Sequence, residues 1–140
     1  FQGVEVKDPL NTKQLRAGLE QLGEEGAIQV FRPLAGGTLL LGAVGQLQFE
    51  VVIHRLKTEY GCDARLEGTR YTMARWVTCD DERELKRFID ANAHRIAYDA
   101  VNAPAFLATM RAELKVAEEK WEKIKFHAMR EHAGLMFASH

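Results

Sequence analysis

TLLLGAVGQLQFEVVIHRLKTEYGCDARL, residues Thr38 to Leu66, is the stretch on which the fold reading turns. Thr38–Val44 is apolar on both faces, as a strand in the middle of a sheet would be. From Gln46 to Tyr60 the period changes. Phe49, Val52, Ile53, Leu56 and Tyr60 fall on one stripe, and Glu50, His54, Lys57 and Thr58 face away from it, so a helix is predicted. Gly61 ends the helix, and Cys62–Leu66 reads as a short strand.

Reading outward toward the start, Val4 and Val6 sit two apart in FQGVEV, which fits a strand over residues 1–6. Lys7-Asp8-Pro9 is a turn signal, and Asn11 with Gln14 three positions on resembles a capping box. Leu15, Leu19 and Leu22 then predict an amphipathic helix that stops at Gly23 and Gly26. Residues 27–32 (AIQVFR) are β-rich, and Pro33–Gly37 makes a hairpin turn into the opening stretch. The order is βαββαβ.

The same order recurs downstream. Tyr71–Cys79 reads as a strand, and Asp80 and Asp81 suit a helix N-terminus whose apolar stripe is Leu85, Phe88 and Ile89. Arg95–Asp99 and Pro104–Ala108 are β-prone pieces around an Asn102-Ala103-Pro104 turn. Met110, Leu114, Ala117 and Trp121 share a helical face, and Ile124, Phe126 and Ala128 alternate as a last strand. The expected fold class is therefore α+β: two tandem ferredoxin-like (βαββαβ) modules with antiparallel sheets. The expected domains are residues 1–68, residues 69–130, and a loosely ordered tail over 131–140. The two halves share element order, not identity.

Composition narrows the function classes. The 140 residues carry 19 basic and 20 acidic groups for a net charge of −1, so no whole-chain field attracts a polyanion. Residues 1–69 come to −2 and residues 70–140 to +1, so any contact with nucleic acid must use a local patch. The longest apolar run, Leu39–Val44, is far short of the ~20 residues of a membrane helix. No secretory signal pattern opens the chain, and two cysteines make no disulfide framework, so a cytoplasmic location is expected. The chain begins at Phe1, not Met, which fits a fragment of a longer protein.

No catalytic constellation stands out, and no catalytic or metal-binding residue is predicted. Gly42-Ala43-Val44-Gly45 lies between a strand and a helix, yet it is neither GxGxxG nor a P-loop; a tight, closely packed turn is the simpler reading. Cys62, Cys79 and the five histidines lack zinc-ligand spacing. Glu50 and His54 read as a solvated i,i+4 pair, and the Glu/Lys-rich run Glu113–Lys125 as the wet face of a helix. The arginines Arg65, Arg70 and Arg75, with Tyr71 and Trp76 among them, are the candidate RNA-phosphate contacts, because guanidinium groups and aromatic rings on a sheet edge bind phosphates and stack on bases. The alternative is that Trp76 belongs to the core with Arg75 as its solvated neighbour. No RNP1-type pattern is present.

Four blocks carry a family resemblance. LLLGAVGQLQFEVVIHRLKTEYGCDA (Leu39–Ala64) resembles the C-terminal region of bacterial peptide chain release factor 3, and ARWV (Ala74–Val77) follows as in that family. VKDPLNTKQLRAGLEQLGEEGAIQVFRP (Val6–Pro33) and FHAMREH (Phe126–His132) are similar to its flanking blocks. GAVGQLQFE also resembles the GxGELHLE of the third domain of elongation factor G. Gln46-Leu47-Gln48-Phe49 here departs from that pattern and favours the release factor. The resemblance implies a translational GTPase acting at termination, promoting departure of the stop-codon-reading factors. Its G domain and β-barrel would precede Phe1, with GTP or GDP and Mg bound there and no cofactor in this chain. The chain itself would be no enzyme, and it would dock on the ribosome through small-subunit rRNA and a ribosomal protein, with no membrane contact. Two other readings remain at this point: a small-molecule-sensing domain of paired ferredoxin-like units, and the equivalent region of an elongation-factor-type paralogue.

Overall fold

The computed structural model describes residues 2–6, 12–26, 28–43 and 46–128. They fall into two compact units, residues 1–32 with 37–69 and residues 33–36 with 70–140. The capping-box residue Asn11, the turn Lys7-Asp8-Pro9, the glycine-stretch residues Val44 and Gly45, most of FHAMREH and the tail 131–140 lie outside the described residues.

In the first unit the elements run β1 (Gln2–Val6), α1 (Thr12–Glu24), β2 (Gln29–Pro33), β3 (Leu40–Gly42), α2 (Gln46–Tyr60) and β4 (Ala64–Gly68). The strands pair antiparallel in the order β4-β1-β3-β2, with Val4 opposite Leu66 and Val30 opposite Leu41. Thus β3 enters between the two strands that α1 joins, the split βαβ arrangement. Leu15, Leu19 and Leu22 of α1 and Phe49, Val52 and Leu56 of α2 bury against Val4, Val30, Leu41 and Ala64. The two helices also meet closely at Gly18. A Cβ there would lie 2.7 Å from a Leu56 methyl and 3.0 Å from the Tyr60 ring, so the missing side chain is what sets their distance. Arg55 on α2 donates to Glu59 one turn on and to Glu25 just beyond α1, tying the helix ends together. Its charged form is favoured further by those bonds, and Glu59 is held below the usual carboxylate range by Arg55.

The second unit repeats the plan with β5 (Met73–Thr78), α3 (Glu82–Ala91), a single 3₁₀ turn at Ala93–Arg95, β6 (Ile96–Tyr98), β7 (Pro104–Ala108), α4 (Arg111–Lys120) and β8 (Lys125–His127). Its order, β6-β7-β5-β8, inserts β7 between the strands joined by α3, so both units carry the same topology. Asp81 caps α3, its carboxylate accepting from the Arg83 amide. Phe88 of α3 is fully buried and meets Trp121 and Phe126 edge-on, with ring centroids 5.3 and 5.6 Å away, and Phe106 at a tilt. Such geometry suits the ring quadrupoles. The chain is α+β, with helices on antiparallel strands.

Several boundaries differ from the sequence reading. The strand expected over Thr38–Val44 is only Leu40–Gly42, because Gly36 and Gly37 hold positive φ and the chain is still bending at Thr38. The strand expected at Cys62–Leu66 starts at Ala64. Gly61 (φ +64°) turns the chain back, and the Cys62 amide bonds the Leu56 carbonyl of the preceding helix instead of a neighbouring strand. Tyr71–Cys79 shortens to Met73–Thr78, and Arg95–Asp99 to Ile96–Tyr98 because Arg95 closes the 3₁₀ turn and Asp99 enters the next one. Among the described residues no bond joins Glu50 to His54; the His54 carbonyl accepts from the Thr58 hydroxyl instead. No helix among the described residues is long and apolar enough to cross a membrane.

Candidate nucleic-acid interface

The three predicted arginines occupy different settings. Arg65 lies on the edge strand β4 of the first unit, exposed, opposite Glu5 in register. Alternation along β4 turns Ala64 and Leu66 to the core and Arg65 and Glu67 outward, where their charged ends are 3.8 Å apart. Arg70 precedes β5 in the second unit. Its guanidinium stacks on the Tyr71 ring, 5.1 Å from the centroid, and donates to the Tyr71 hydroxyl at 3.1 Å. That hydroxyl in turn donates to the His94 carbonyl, which orients the pair. The bond to Tyr71 favours the charged form of Arg70.

Arg75 belongs to β5 itself, directly opposite Phe106 of β7 and on the side of the sheet that carries the helices. Its Nη1 donates to the adjacent Ala74 carbonyl at 2.9 Å. Around it opens a groove of about 270 Å³, lined by Met73, Arg75, Arg111, Leu114, Lys115 and Glu118. Trp76 points the other way. It is buried, and its Nε1 donates to Asp99 Oδ2 at 3.0 Å. Asp99 Oδ1 accepts from the Val101 and Ala103 amides, so one buried carboxylate pins the turn in which Asn102 takes φ +63°. Trp76 is therefore a core residue. Arg70 and Arg75 share a unit; Arg65 belongs to the other.

Sequence reasoning missed two features of this surface. Arg111 and Lys115 line the Arg75 groove, and the signal available was their i,i+4 spacing on one helix face. Glu113, read as part of a wet face, is instead a junction. Its carboxylate accepts from the Thr109 hydroxyl, the Thr109 amide and Arg95 Nη1, at 2.6–3.1 Å. The Thr109 bonds first, and then Arg95, hold its pKa down at about 2. On the α3 side of α4 a second groove of about 380 Å³ has Phe106, Val116 and Trp121 on its walls beside the Arg95–Glu113 pair. Cys62 is buried, which pushes its thiol up in pKa, and Cys79 is half-buried. Among the described residues no cluster of His, Cys, Asp and Glu is placed to hold a metal ion.

Fold and surface define a class: an α+β module of two split βαβ units with arginines on β4, on β5 and just before β5. Comparison with known proteins makes this specific. The family described as class II release factor RF3, C-terminal domain, matches residues 1–118, and the chain belongs to that family. It is 70% identical over 137 residues to peptide chain release factor 3 of Nitrosomonas europaea, and 70% identical over 141 residues to that of Bordetella petrii. The matches cover 98% and 100% of this chain and 26% of each relative, so the chain spans about a quarter of the length of these proteins. The family is that of release factor 3 and not of an elongation factor.

Proposed function

We propose that this chain is the ribosome-docking region of a translation termination GTPase that promotes release and recycling of the stop-codon-reading factors. The observation that carries the reading is the family match over residues 1–118. Nucleotide chemistry, with GTP or GDP and Mg, belongs to a G domain elsewhere in the parent protein. The part played here is mechanical and adhesive: this region contacts small-subunit rRNA and a ribosomal protein, and rigid-body motion carries the nucleotide state of the G domain to that contact. Arg65, Arg70 and Arg75 supply phosphate contacts, for which a planar guanidinium with paired N–H donors is well shaped. The setting of action is the cytoplasm.

Deleting this region from the full-length protein tests the division of labour. The truncated protein is expected to bind GTP as before and to lose its stimulation of release-factor departure from ribosomes. Loss of nucleotide binding together with that activity would contradict the reading.

A further inference from the structure

One place in the second unit breaks two local rules at once. Arg111 is the first residue of α4, where the positive end of the helix dipole disfavours a cation. The capping position before it is Met110, exposed and without a side-chain cap bond, and the acid of the first turn, Glu113, is already engaged by Thr109 and Arg95. One turn on stands Lys115, a second cation at i+4, the spacing at which like charges repel. Beneath both, Arg75 reaches the same groove from β5. Among the described residues neither Arg111 nor Lys115 forms an ion pair, although Glu118 stands on the rim. Met73 and Leu114 supply the apolar floor. Local rules are broken together mainly where a ligand restores the balance. Three cations and one acid, Glu118, line the groove, a net positive charge that an anionic partner would balance.

We infer that the Arg75–Arg111–Lys115 groove binds the phosphodiester backbone of RNA. The inference rests on the docking reading above and names a site for it. Two guanidinium groups and an ammonium around a groove of about 270 Å³ match the chemistry of a phosphate group, with Glu118 on the same wall. Contacts to phosphate position a protein on RNA and carry no sequence information themselves. Arg70, fixed on Tyr71 in the same unit, offers a second cation on an aromatic platform.

The test measures affinity of the 140-residue chain for isolated small ribosomal subunits across a salt series. Three proteins are compared: the chain itself, Arg111→Ala/Lys115→Ala, and Arg83→Ala/Lys86→Ala, which removes the same charge from exposed positions on α3. The groove variant is expected to bind about tenfold more weakly and to lower the slope of log K against log salt by about 1.5, since roughly 0.7–0.9 is lost per phosphate contact. The α3 variant should match the parent chain in both. Arg111→Lys/Lys115→Arg should keep the slope, because charge is conserved. Equal losses in the groove and α3 variants, or no loss in the groove variant, overturn the site while leaving docking intact. Absence of binding by the parent chain at about 50 mM salt overturns both. In a parallel titration with inorganic phosphate, saturation of the groove amides at micromolar phosphate would assign a free-anion site and overturn the RNA assignment.

Discussion

Glu113 shows how a single side chain acquires a structural role from its neighbours. At the third position of α4 it reaches back to Thr109 and across to Arg95, closing the start of the helix as an N-cap side chain otherwise would. With a folded pKa of about 2 against an ordinary 4.5, the carboxylate stabilises the fold above about pH 4.5, and that contribution is lost as pH falls from there toward 2. Thermal melts of Glu113→Gln should therefore show a lower Tm than the parent at pH 7 and a shrinking difference toward pH 2. An equal difference at both ends would show that the bonds, not the ionisation, matter. Arg95→Ala should lower the Tm at pH 7 less than Glu113→Gln, because the Thr109 bonds remain.

At the scale of elements, helix contacts do more than the helix pattern alone discloses. Leu15, Leu19, Leu22, Phe49, Val52 and Leu56 were legible because apolar residues at helical spacing need no partner to be recognised. Gly18 was not: a glycine inside a helix looks like a propensity penalty until the facing helix places Leu56 and Tyr60 against it. Gly18→Val should cost about 1–3 kcal/mol by overpacking, read as a fall in urea midpoint with an unchanged m-value. In the second unit Phe88→Ala should cost about 3–5 kcal/mol, since it removes the ring on which Phe106, Trp121 and Phe126 converge. Strand ends were the poorly legible part for a related reason. Ala64 and Leu40 begin their strands only because Gly61, Gly36 and Gly37 spend the preceding residues on turning, and β-prone residues such as Cys62 and Thr38 carry no mark of that. Likewise Trp76 reads as either a stacking platform or core until Asp99, twenty-three residues on, accepts its Nε1 proton.

For the whole molecule, the candidate site was legible by type and only partly by place. Arginine near aromatics drew attention to β5 and its approach, where Arg70 is exposed and Arg75 half-buried, yet the groove around Arg75 is completed by Arg111 and Lys115, which come from a helix more than thirty residues away. A near-neutral chain can still present a positive patch through such a convergence, because clustering, not net charge, sets the local potential. The relatives that this chain matches are about four times as long as it is.

Docking of this region on the ribosome through a small set of phosphate contacts, as proposed above, would depend on salt. Cosedimentation of the 140-residue chain with isolated small subunits at about 50 and about 200 mM salt measures that dependence. Pelleting is expected at the lower salt and should fall steeply at the higher, as counterions recondense on the freed phosphates. Equal pelleting at both salts, or none at the lower, would contradict it.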